Sequence, residues 1–415
     1  MEMAGIENTA AYHEKEKSRP GESSRPAFCT NSPGRAPAKV DGKVPVKRTD
    51  AVMNEESAAG RCRLSVIVPV FNMASEERLS FCMGSLLQQT ISDYEILAVD
   101  DCSTDSSLEI LRELEKQHPD RVRVIASDRN RHQGGAKNLG IARAKGEWIA
   151  FIDADDWVVP DYFDRLLKKA EETGADCVGT DYCIVHGHTM TPGPVVANSS
   201  MEQTGVLDDE KRRLLILDSG SLCVKIYRRE IVADCPSRFP EDIFYEDNAL
   251  ANTWIMRMKH FEYVPGPLYY YYQHEDSTVH TVTKRRLEDR LTAGRMMISE
   301  AERYGFLEKF RPEIEYSFTV LFYKNTLFSA LQGMKEKGVY SFVTGIAGEM
   351  RRTFPDFQSN PYYLERTNEE EKKLMRLQMK SPIRFYVYYR MLWMYRRIRY
   401  GKTLQRAEQQ EEEKL

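Results

Sequence analysis

Short apolar runs rich in β-branched residues alternate with helical segments over the first part of this chain. The runs begin at Leu64 ("LSVIVPVF"), Tyr94 ("YEILAVDD"), Val122 ("VRVIAS"), Trp148 ("WIAFID") and Ala175 ("ADCVGTDYCIV"). Runs without polar alternation are typical of strands covered on both faces. Strands that alternate with helices predict βαβ units, so we expect an α/β fold with a mostly parallel sheet flanked by helices. The strand C-termini then share one edge, where open α/β sheets bind ligands.

The rest of the chain divides by composition into further regions. Residues 1–60 are rich in Pro, Gly, Ser and charge and show no periodicity, which predicts a disordered segment. Residues 61–283 hold the α/β domain. A helical region with scattered aromatic residues follows over 284–407, and 408–415 form an acidic tail.

Charge, apolar run length and cysteine content indicate the cellular compartment and the classes of partner of this protein. The net charge of −4 gives no overall attraction to nucleic acid, and no nucleic-acid partner is expected. No run approaches about 18 apolar residues, so no membrane-spanning helix is expected. The acidic N-terminus does not resemble a secretion signal, and the eight cysteines form no spaced framework. These features predict a cytoplasmic protein with reduced thiols.

Carboxylates follow two of the predicted strands. Asp100 and Asp101 end "YEILAVDD", and Asp153, Asp155 and Asp156 end "WIAFIDADD". Acids gathered at one sheet edge repel one another unless hydrogen-bond donors or a cation neutralise them. Oxygen ligands of this kind suit Mg²⁺ or Mn²⁺, and Mg²⁺ usually takes one or two carboxylates together with substrate phosphates. For each acid taken singly, a helix cap or a solvated loop is the alternative.

"RHQGGAKNLG" lies between the two acidic clusters. Gly134 and Gly135 leave backbone N–H groups open at a helix start, and Lys137 adds a positive charge. This combination predicts a diphosphate cradle. Together with the acids it indicates a nucleotide diphosphate ligand.

A separate acidic pair, Glu246 and Asp247, occurs in "FYEDNAL" just before a helical segment. One interpretation is an acidic first turn favoured by the helix dipole. The other is a general base held apart from the metal-binding acids.

Four motifs together resemble a known family. "LSVIVPVFN", "ILAVDDCSTD", "GGAKNLGIARAKGEWIAFIDADD" and "FYEDN" occur in an order and at separations similar to those of family-2 inverting glycosyltransferases of the GT-A fold. That family includes bacterial enzymes that build polysaccharides and lipopolysaccharides. The resemblance covers residues 64 to about 280. It implies a GT-A, Rossmann-like catalytic domain over 61–283 and metal-dependent transfer of a sugar from a UDP-sugar or another nucleotide-diphosphate donor. The acceptor hydroxyl would belong to a glycan or a lipid-linked molecule, and one displacement would invert the anomeric configuration.

The resemblance also implies roles for individual residues. The nucleotide pocket would be lined by Pro69, Phe71 and Asn72, and Asp101, with Asp100 beside it, would contact the base. Lys137 would lie near the diphosphate, while Asp153 and Asp155 match the DxD motif that holds ribose and the metal-bridged diphosphate, with Asp156 adjacent. Asp247 matches the general base, with Glu246 beside it. In the closing segment "LYYYYQHEDST", His274 or Ser277 would reach the diphosphate, and His274 would bind the metal together with Asp153, Asp155 and Asp156. Two positions depart from the family pattern: Cys102 replaces a glycine, and Lys137 replaces an arginine, which keeps the charge but loses the bidentate fork.

Two other functions compete with this interpretation. A nucleotidyltransferase would carry a Gly-rich, Arg-containing loop after the first strand, where this chain has "PVFNMASEE". A catalytically inactive nucleotide-sugar-binding protein would keep the fold, but the intact Asp153, Asp155 and Asp247 argue against it.

The basic, aromatic segment 376–406 allows three interpretations. No acidic residue occurs between Lys372 and Ala407. The segment could lie on an anionic membrane surface, which would suit a lipid-linked acceptor at the inner face of the cell membrane. It could instead pack on the catalytic domain, with arginine stems covering it, or bind RNA.

Overall fold

The computed structural model describes residues 62–273 and 282–412, and side chains to Arg396 and at Arg399. The predicted disorder of residues 1–60, the roles of His274 and Ser277 and the end of the acidic tail lie outside the described residues.

The strands of the described chain form one mixed sheet in the order β3-β2-β1-β4-β9-β6-β10-β5, with β7 on β6 and β8 on β10. The strands are β1 Leu64–Val70, β2 Tyr94–Asp100, β3 Val122–Ala126, β4 Trp148–Phe151, β5 Trp157–Val158, β6 Cys177–Val185, β7 Val195–Val196, β8 Gly205–Val206, β9 Lys225–Arg228 and β10 His260–Tyr272.

The parallel part of the sheet confirms the predicted α/β architecture. β1 pairs in parallel with both β2 and β4, and β2 pairs in parallel with β3. All seven β1 residues are buried, as expected for a central strand covered on both faces. In the register, Val70 lies beside Asp100, so the carboxyl ends of β1, β2 and β4 meet at one edge. β9 runs antiparallel between β4 and β6, so the second half of the sheet is mixed.

Helices cover both faces and build the C-terminal region. They are α1 Arg78–Leu87, α2 Ser107–Gln117, α3 His132–Ile141, α4 Tyr162–Thr173, α5 Asp209–Leu217, α6 Arg229–Val232, α7 Glu246–Arg257, α8 Lys284–Arg303, α9 Arg311–Ser317, α10 Asn325–Gly333, α11 Val339–Thr353, α12 Pro361–Arg366, α13 Glu369–Lys380 and α14 Pro382–Glu412. Within the described residues, 3₁₀ turns occupy Ser75–Glu77, Met201–Gln203 and Phe357–Ser359, and a π-helical stretch joins α9 to α10 over Phe318–Lys324. The predicted helical C-terminal region is therefore confirmed.

The C-terminal helices share a hydrophobic core with the sheet domain. α8 packs against α7, where the Asn252 side chain lies 3.2 Å from the sulfur of Met297. The Ser317 hydroxyl donates to the Ile216 carbonyl at 2.9 Å. The core extends from Leu64 to Tyr389. The domain boundary at residue 283 stays a prediction.

Among the described helices, none combines the length and the apolar character needed to cross a membrane.

Candidate active site at the carboxyl ends of the parallel strands

The loop that follows β2 is fixed by its two acids. The Asp101 carboxylate accepts two hydrogen bonds from the Arg131 backbone N–H, at 2.8 and 3.0 Å, immediately before α3. Asp100 Oδ2 accepts a hydrogen bond from the Ser103 N–H, while its buried Oδ1 has no hydrogen-bond partner within the described part of the chain. Burial raises the pKa of Asp101 above its usual range, although the Arg131 N–H opposes the shift. Cys102 adopts φ 64°, a left-handed conformation that favours glycine, so the turn is kept without one.

The end of β1 lies against the same loop. Pro69 is buried, whereas the Phe71 ring is 42% exposed at the strand end. Asn72, in a left-handed conformation at φ 56°, accepts the Thr104 N–H at 2.8 Å through its Oδ1. The three residues predicted to line the nucleotide pocket therefore adjoin the Asp100–Asp101 loop. Their contact with a nucleotide stays a prediction.

Asp153 follows β4, and its two carboxylate oxygens differ in their contacts. Its Oδ2 accepts a hydrogen bond from the Cys223 thiol at 3.3 Å, while its buried Oδ1 has no hydrogen-bond partner among the residues that the structure describes. Burial raises the pKa of Asp153, Lys137 opposes the shift, and Asp155 adds to it. A buried oxygen of this kind is costly unless a ligand or cation completes it.

The other two acids of this motif differ in their surroundings. Asp155 is half-buried. Asp156 is buried, and both of its oxygens are engaged: the Tyr269 hydroxyl donates to Oδ2 at 2.5 Å and the Tyr272 N–H to Oδ1 at 2.9 Å. Burial and the neighbouring Asp155 and Asp153 raise the pKa of Asp156 well above its usual range. In the described chain, no three His, Cys, Asp or Glu side chains are already gathered closely enough to form a metal cage.

A buried ion pair joins α3 to α7. The Lys137 ammonium donates to Glu246 Oε1 at 2.8 Å, and both side chains are almost fully buried. Burial alone would lower the pKa of Lys137, but Glu246, Asp153 and Asp247 outweigh it and raise that pKa. Glu246, predicted to stand beside the general base, forms its ion pair with Lys137 of the predicted cradle.

The two glycines of the predicted cradle lie where neighbouring atoms leave no room for a side chain. A Cβ atom on Gly134 would lie 2.1 Å from the Pro240 carbonyl oxygen and 3.2 Å from the Glu246 side chain. A Cβ atom on Gly135 would lie 2.2 Å from the Arg131 side chain. Close packing thus explains why both positions hold glycine. Their contact with a diphosphate stays a prediction.

Asp247 stands one residue beyond Glu246, in the first turn of α7. Tyr245, at φ 66°, turns the chain into the helix. Asp247 Oδ1 accepts from the N–H and the side-chain amide of Asn248, at 2.8 and 2.9 Å. Burial and the neighbouring Glu246 raise the pKa of Asp247 to about 6, with Lys137 opposing the shift. A carboxylate with this pKa is suited to accept a proton near neutral pH.

Cys223, the hydrogen-bond donor to Asp153, is a residue of this region that the sequence does not indicate. It lies 70 residues away from Asp153 in the chain, and no sequence signal marks it. Lys225, two residues further along, is buried. Its ammonium donates to the Ser219 and Ser221 carbonyls, both at 2.7 Å, and so holds the loop that carries Cys223.

The chain is similar to known glycosyltransferases over the region that contains this site. Residues 65–233 match the family model described as glycosyl transferase family 2. EpsH of Bacillus subtilis, named as a glycosyltransferase, is 32% identical over 269 residues, which cover 62% of this chain and 74% of EpsH. The chain belongs to glycosyltransferase family 2. The resemblance identified from the four motifs is confirmed.

Two further similarities place this glycosyltransferase among its relatives. The poly(ribitol-phosphate) β-glucosyltransferase of Bacillus spizizenii is 38% identical over 116 residues, which cover 28% of this chain and 18% of that enzyme. The crystal structure of S. aureus TarS in complex with UDP-GlcNAc aligns with a TM-score of 0.57 at 20% identity, over 78% of this chain and 89% of that one. The TarS similarity supports the GT-A fold of this glycosyltransferase.

Proposed function

We propose that this glycosyltransferase moves a sugar from a nucleotide-diphosphate donor, a UDP-sugar, to a hydroxyl of a glycan or lipid-linked acceptor in cell-surface polysaccharide synthesis. The observation that carries the proposal is the group at the strand ends: the unpartnered Asp153 oxygen, the buried Lys137–Glu246 pair, and Asp247 with its raised pKa. The relative that acts on poly(ribitol-phosphate) and the TarS complex with UDP-GlcNAc support the acceptor and donor classes.

The donor would be held between the β1 and β2 loops and the DxD motif. Phe71 offers an exposed ring to the base, Asn72, Asp100 and Asp101 shape the pocket around it, and Pro69 supports the strand end. Asp153 and Asp155 would hold the ribose and a divalent cation. Their fit to Mg²⁺ or Mn²⁺ rests on the buried, unpartnered Asp153 oxygen and on hard oxygen donors. When bound, the cation would neutralise the leaving diphosphate.

We assign Asp156 to positioning instead of metal binding. Both of its oxygens accept hydrogen bonds from β10, through the Tyr269 hydroxyl and the Tyr272 N–H. Asp156 thereby anchors the end of β10 beside the DxD motif and fixes the backbone that carries Asp155.

Asp247 would accept the proton from the acceptor hydroxyl as that oxygen attacks the anomeric carbon. One attack opposite to the leaving diphosphate inverts the configuration and needs no enzymic nucleophile. Glu246 would hold the Lys137 ammonium at the inner end of the cradle, where its charge favours the diphosphate. A lipid-linked acceptor would place this reaction at the inner face of the cell membrane.

A panel of nucleotide sugars tests the proposal, with thermal stabilisation and metal-dependent turnover as the two readouts. We expect a UDP-sugar to raise the melting temperature in the presence of Mg²⁺ or Mn²⁺, and Asp247→Asn to keep that shift while losing turnover. Asp120→Asn, at a largely exposed acid, is the matched control. Release of a nucleoside triphosphate when pyrophosphate is supplied would instead identify a nucleotidyltransferase. Stabilisation without turnover on any acceptor hydroxyl would identify a binding protein.

A further inference from the structure

Helix α14 packs one face against the protein over 382–396, the part of the helix whose side chains are described. Phe385 and Tyr389 are buried on that face. The Tyr389 ring lies 5.8 Å from the Phe328 ring, and its hydroxyl accepts the Gln332 side-chain amide at 3.1 Å. Arg396 extends the same face through an ion pair with Glu370 at 2.6 Å. Packing on α10 and α13 therefore fixes which side of α14 faces outward.

The outward side carries a continuous aliphatic stripe. Ile383, Val387, Met391 and Met394 follow one another at intervals of four, four and three residues, and each is 52–61% exposed. This spacing places them in one row along the helix. Packing on the protein core explains the buried face but leaves this row in water. A row of large exposed apolar side chains marks an interaction surface.

Cationic and aromatic side chains border the stripe. Arg390 lies on one border, and Arg384, Tyr388 and Tyr395 lie on the other, all of them exposed. Eleven lysines and arginines, and no acid, occur between residues 372 and 407. A helix with an aliphatic row that is bordered by arginines and tyrosines has the pattern of a helix that lies in the plane of an anionic membrane surface.

The same features argue against two other partners for the stripe, a second copy of this chain and single-stranded RNA. A second copy of this chain would bring one cationic face against another, which repels. Single-stranded RNA binds through exposed aromatic rings on which bases stack, whereas the centre of this stripe holds only Ile, Val and Met.

We propose that the outward stripe of α14, formed by Ile383, Val387, Met391 and Met394, docks the protein on an anionic lipid surface. The inference rests on the proposed function only for its purpose, which is to bring the strand-end site to a lipid-linked acceptor. The docking itself follows from the exposed stripe and its charged borders.

Vesicle co-sedimentation of the full chain tests this surface. We expect binding to phosphatidylcholine vesicles that contain phosphatidylglycerol and little binding to phosphatidylcholine alone. Val387→Glu combined with Met391→Glu should weaken binding roughly tenfold or more, because carboxylates oppose both insertion and attraction to anionic lipid. Leu364→Glu, at a 52% exposed leucine on α12, is the matched control and should bind like the wild type. Arg384→Gln combined with Arg390→Gln should reduce the preference for anionic vesicles while keeping the fold.

The outcomes separate docking from catalysis. Nucleotide-sugar turnover with a soluble acceptor should be unchanged in the α14 variants, and equal melting temperatures would show that they fold. Equal vesicle binding by the wild type and the Val387/Met391 variant would overturn the proposal, as would a dimer in light scattering that this variant dissociates. Vesicle binding by a protein that no nucleotide sugar stabilises would leave docking intact and refute the proposed function.

Discussion

The Lys137 ammonium lies 2.8 Å from the Glu246 carboxylate, across 109 residues of sequence and with both side chains almost fully buried. This contact ties the cradle helix α3 to the first turn of α7. Asp247 is the next residue of that turn, so the ion pair also fixes where the proposed base stands.

Breaking the ion pair on one side should be strongly destabilising. Lys137→Met leaves Glu246 as a buried, unpaired charge, and we expect a loss of about 3–5 kcal/mol in the free energy of unfolding, measured by urea denaturation. Adding Glu246→Leu should restore most of that loss. The exposed pair Lys116–Glu113 is the control, and Lys116→Met there should change stability by less than about 1 kcal/mol. Equal effects at the two sites would contradict the buried pair.

Gly134→Ala should disturb the α3–α7 contact. The new Cβ would lie 2.1 Å from the Pro240 carbonyl oxygen, so backbone must shift, and we expect a loss of about 1–3 kcal/mol in unfolding free energy together with weaker activity. Gly84→Ala in α1 meets no heavy atom within 4 Å. That control should raise stability by up to about 1 kcal/mol, because alanine favours the helix. A harmless Gly134→Ala would show that α3 can move away from Pro240.

The pKa of about 6 for Asp247 predicts how activity depends on pH. A general base must be ionised, so kcat/KM should fall about tenfold per pH unit below pH 6. Asp247→Asn should reduce kcat by roughly 10²- to 10⁴-fold and abolish this acid limb. An unchanged pH profile in the variant would assign the limb to another group.

The raised pKa of Asp247 also lowers the stability of the folded protein once this carboxyl group is ionised. The folded protein holds the Asp247 proton more tightly than the unfolded chain does, so stability falls as pH rises from the ordinary carboxyl range through about 6. Above this pH range Asp247 is fully ionised, and the loss of folding stability increases no further. We therefore expect Asp247→Asn to be more stable than the wild type at neutral pH and to lose that advantage in acid, as thermal melts across pH can measure.

The hydrogen bond from Cys223 to Asp153 should affect binding of the nucleotide sugar more than it affects folding stability. Cys223→Ala removes the thiol that donates a hydrogen bond to Asp153 Oδ2 at 3.3 Å, and the Asp153 carboxylate can then rotate. We therefore expect KM for the nucleotide sugar to rise several-fold. Cys223→Ser supplies a hydroxyl donor and should restore part of the affinity. Cys183→Ala, at an equally buried thiol packed among Trp157 and Tyr270, is the control for cavity formation and should leave KM unchanged.

Local sequence was sufficient for the sheet and for the acids at its edge. "LSVIVPV", "YEILAVD" and "WIAF" are apolar at most consecutive positions, which is typical of strands covered on both faces, and they form neighbouring parallel strands. Once they are parallel, Asp100, Asp101, Asp153 and Asp155 must share one edge. The helical character of the C-terminal region was equally readable from composition and periodicity.

Partners that join distant parts of the chain depended on the tertiary structure. Nothing in "GGAKN" specifies that Lys137 will meet Glu246, or that Gly134 will pack beneath Pro240. Likewise, "DADD" does not tell which acid keeps a free oxygen: Asp156 is satisfied by β10, while Asp153 keeps one unpartnered oxygen. Sequence patterns report periodicity and residue chemistry along one segment. Burial, pKa and hydrogen-bond partners arise from side chains that only folding brings together, and they decided which of the acids is suited to each role.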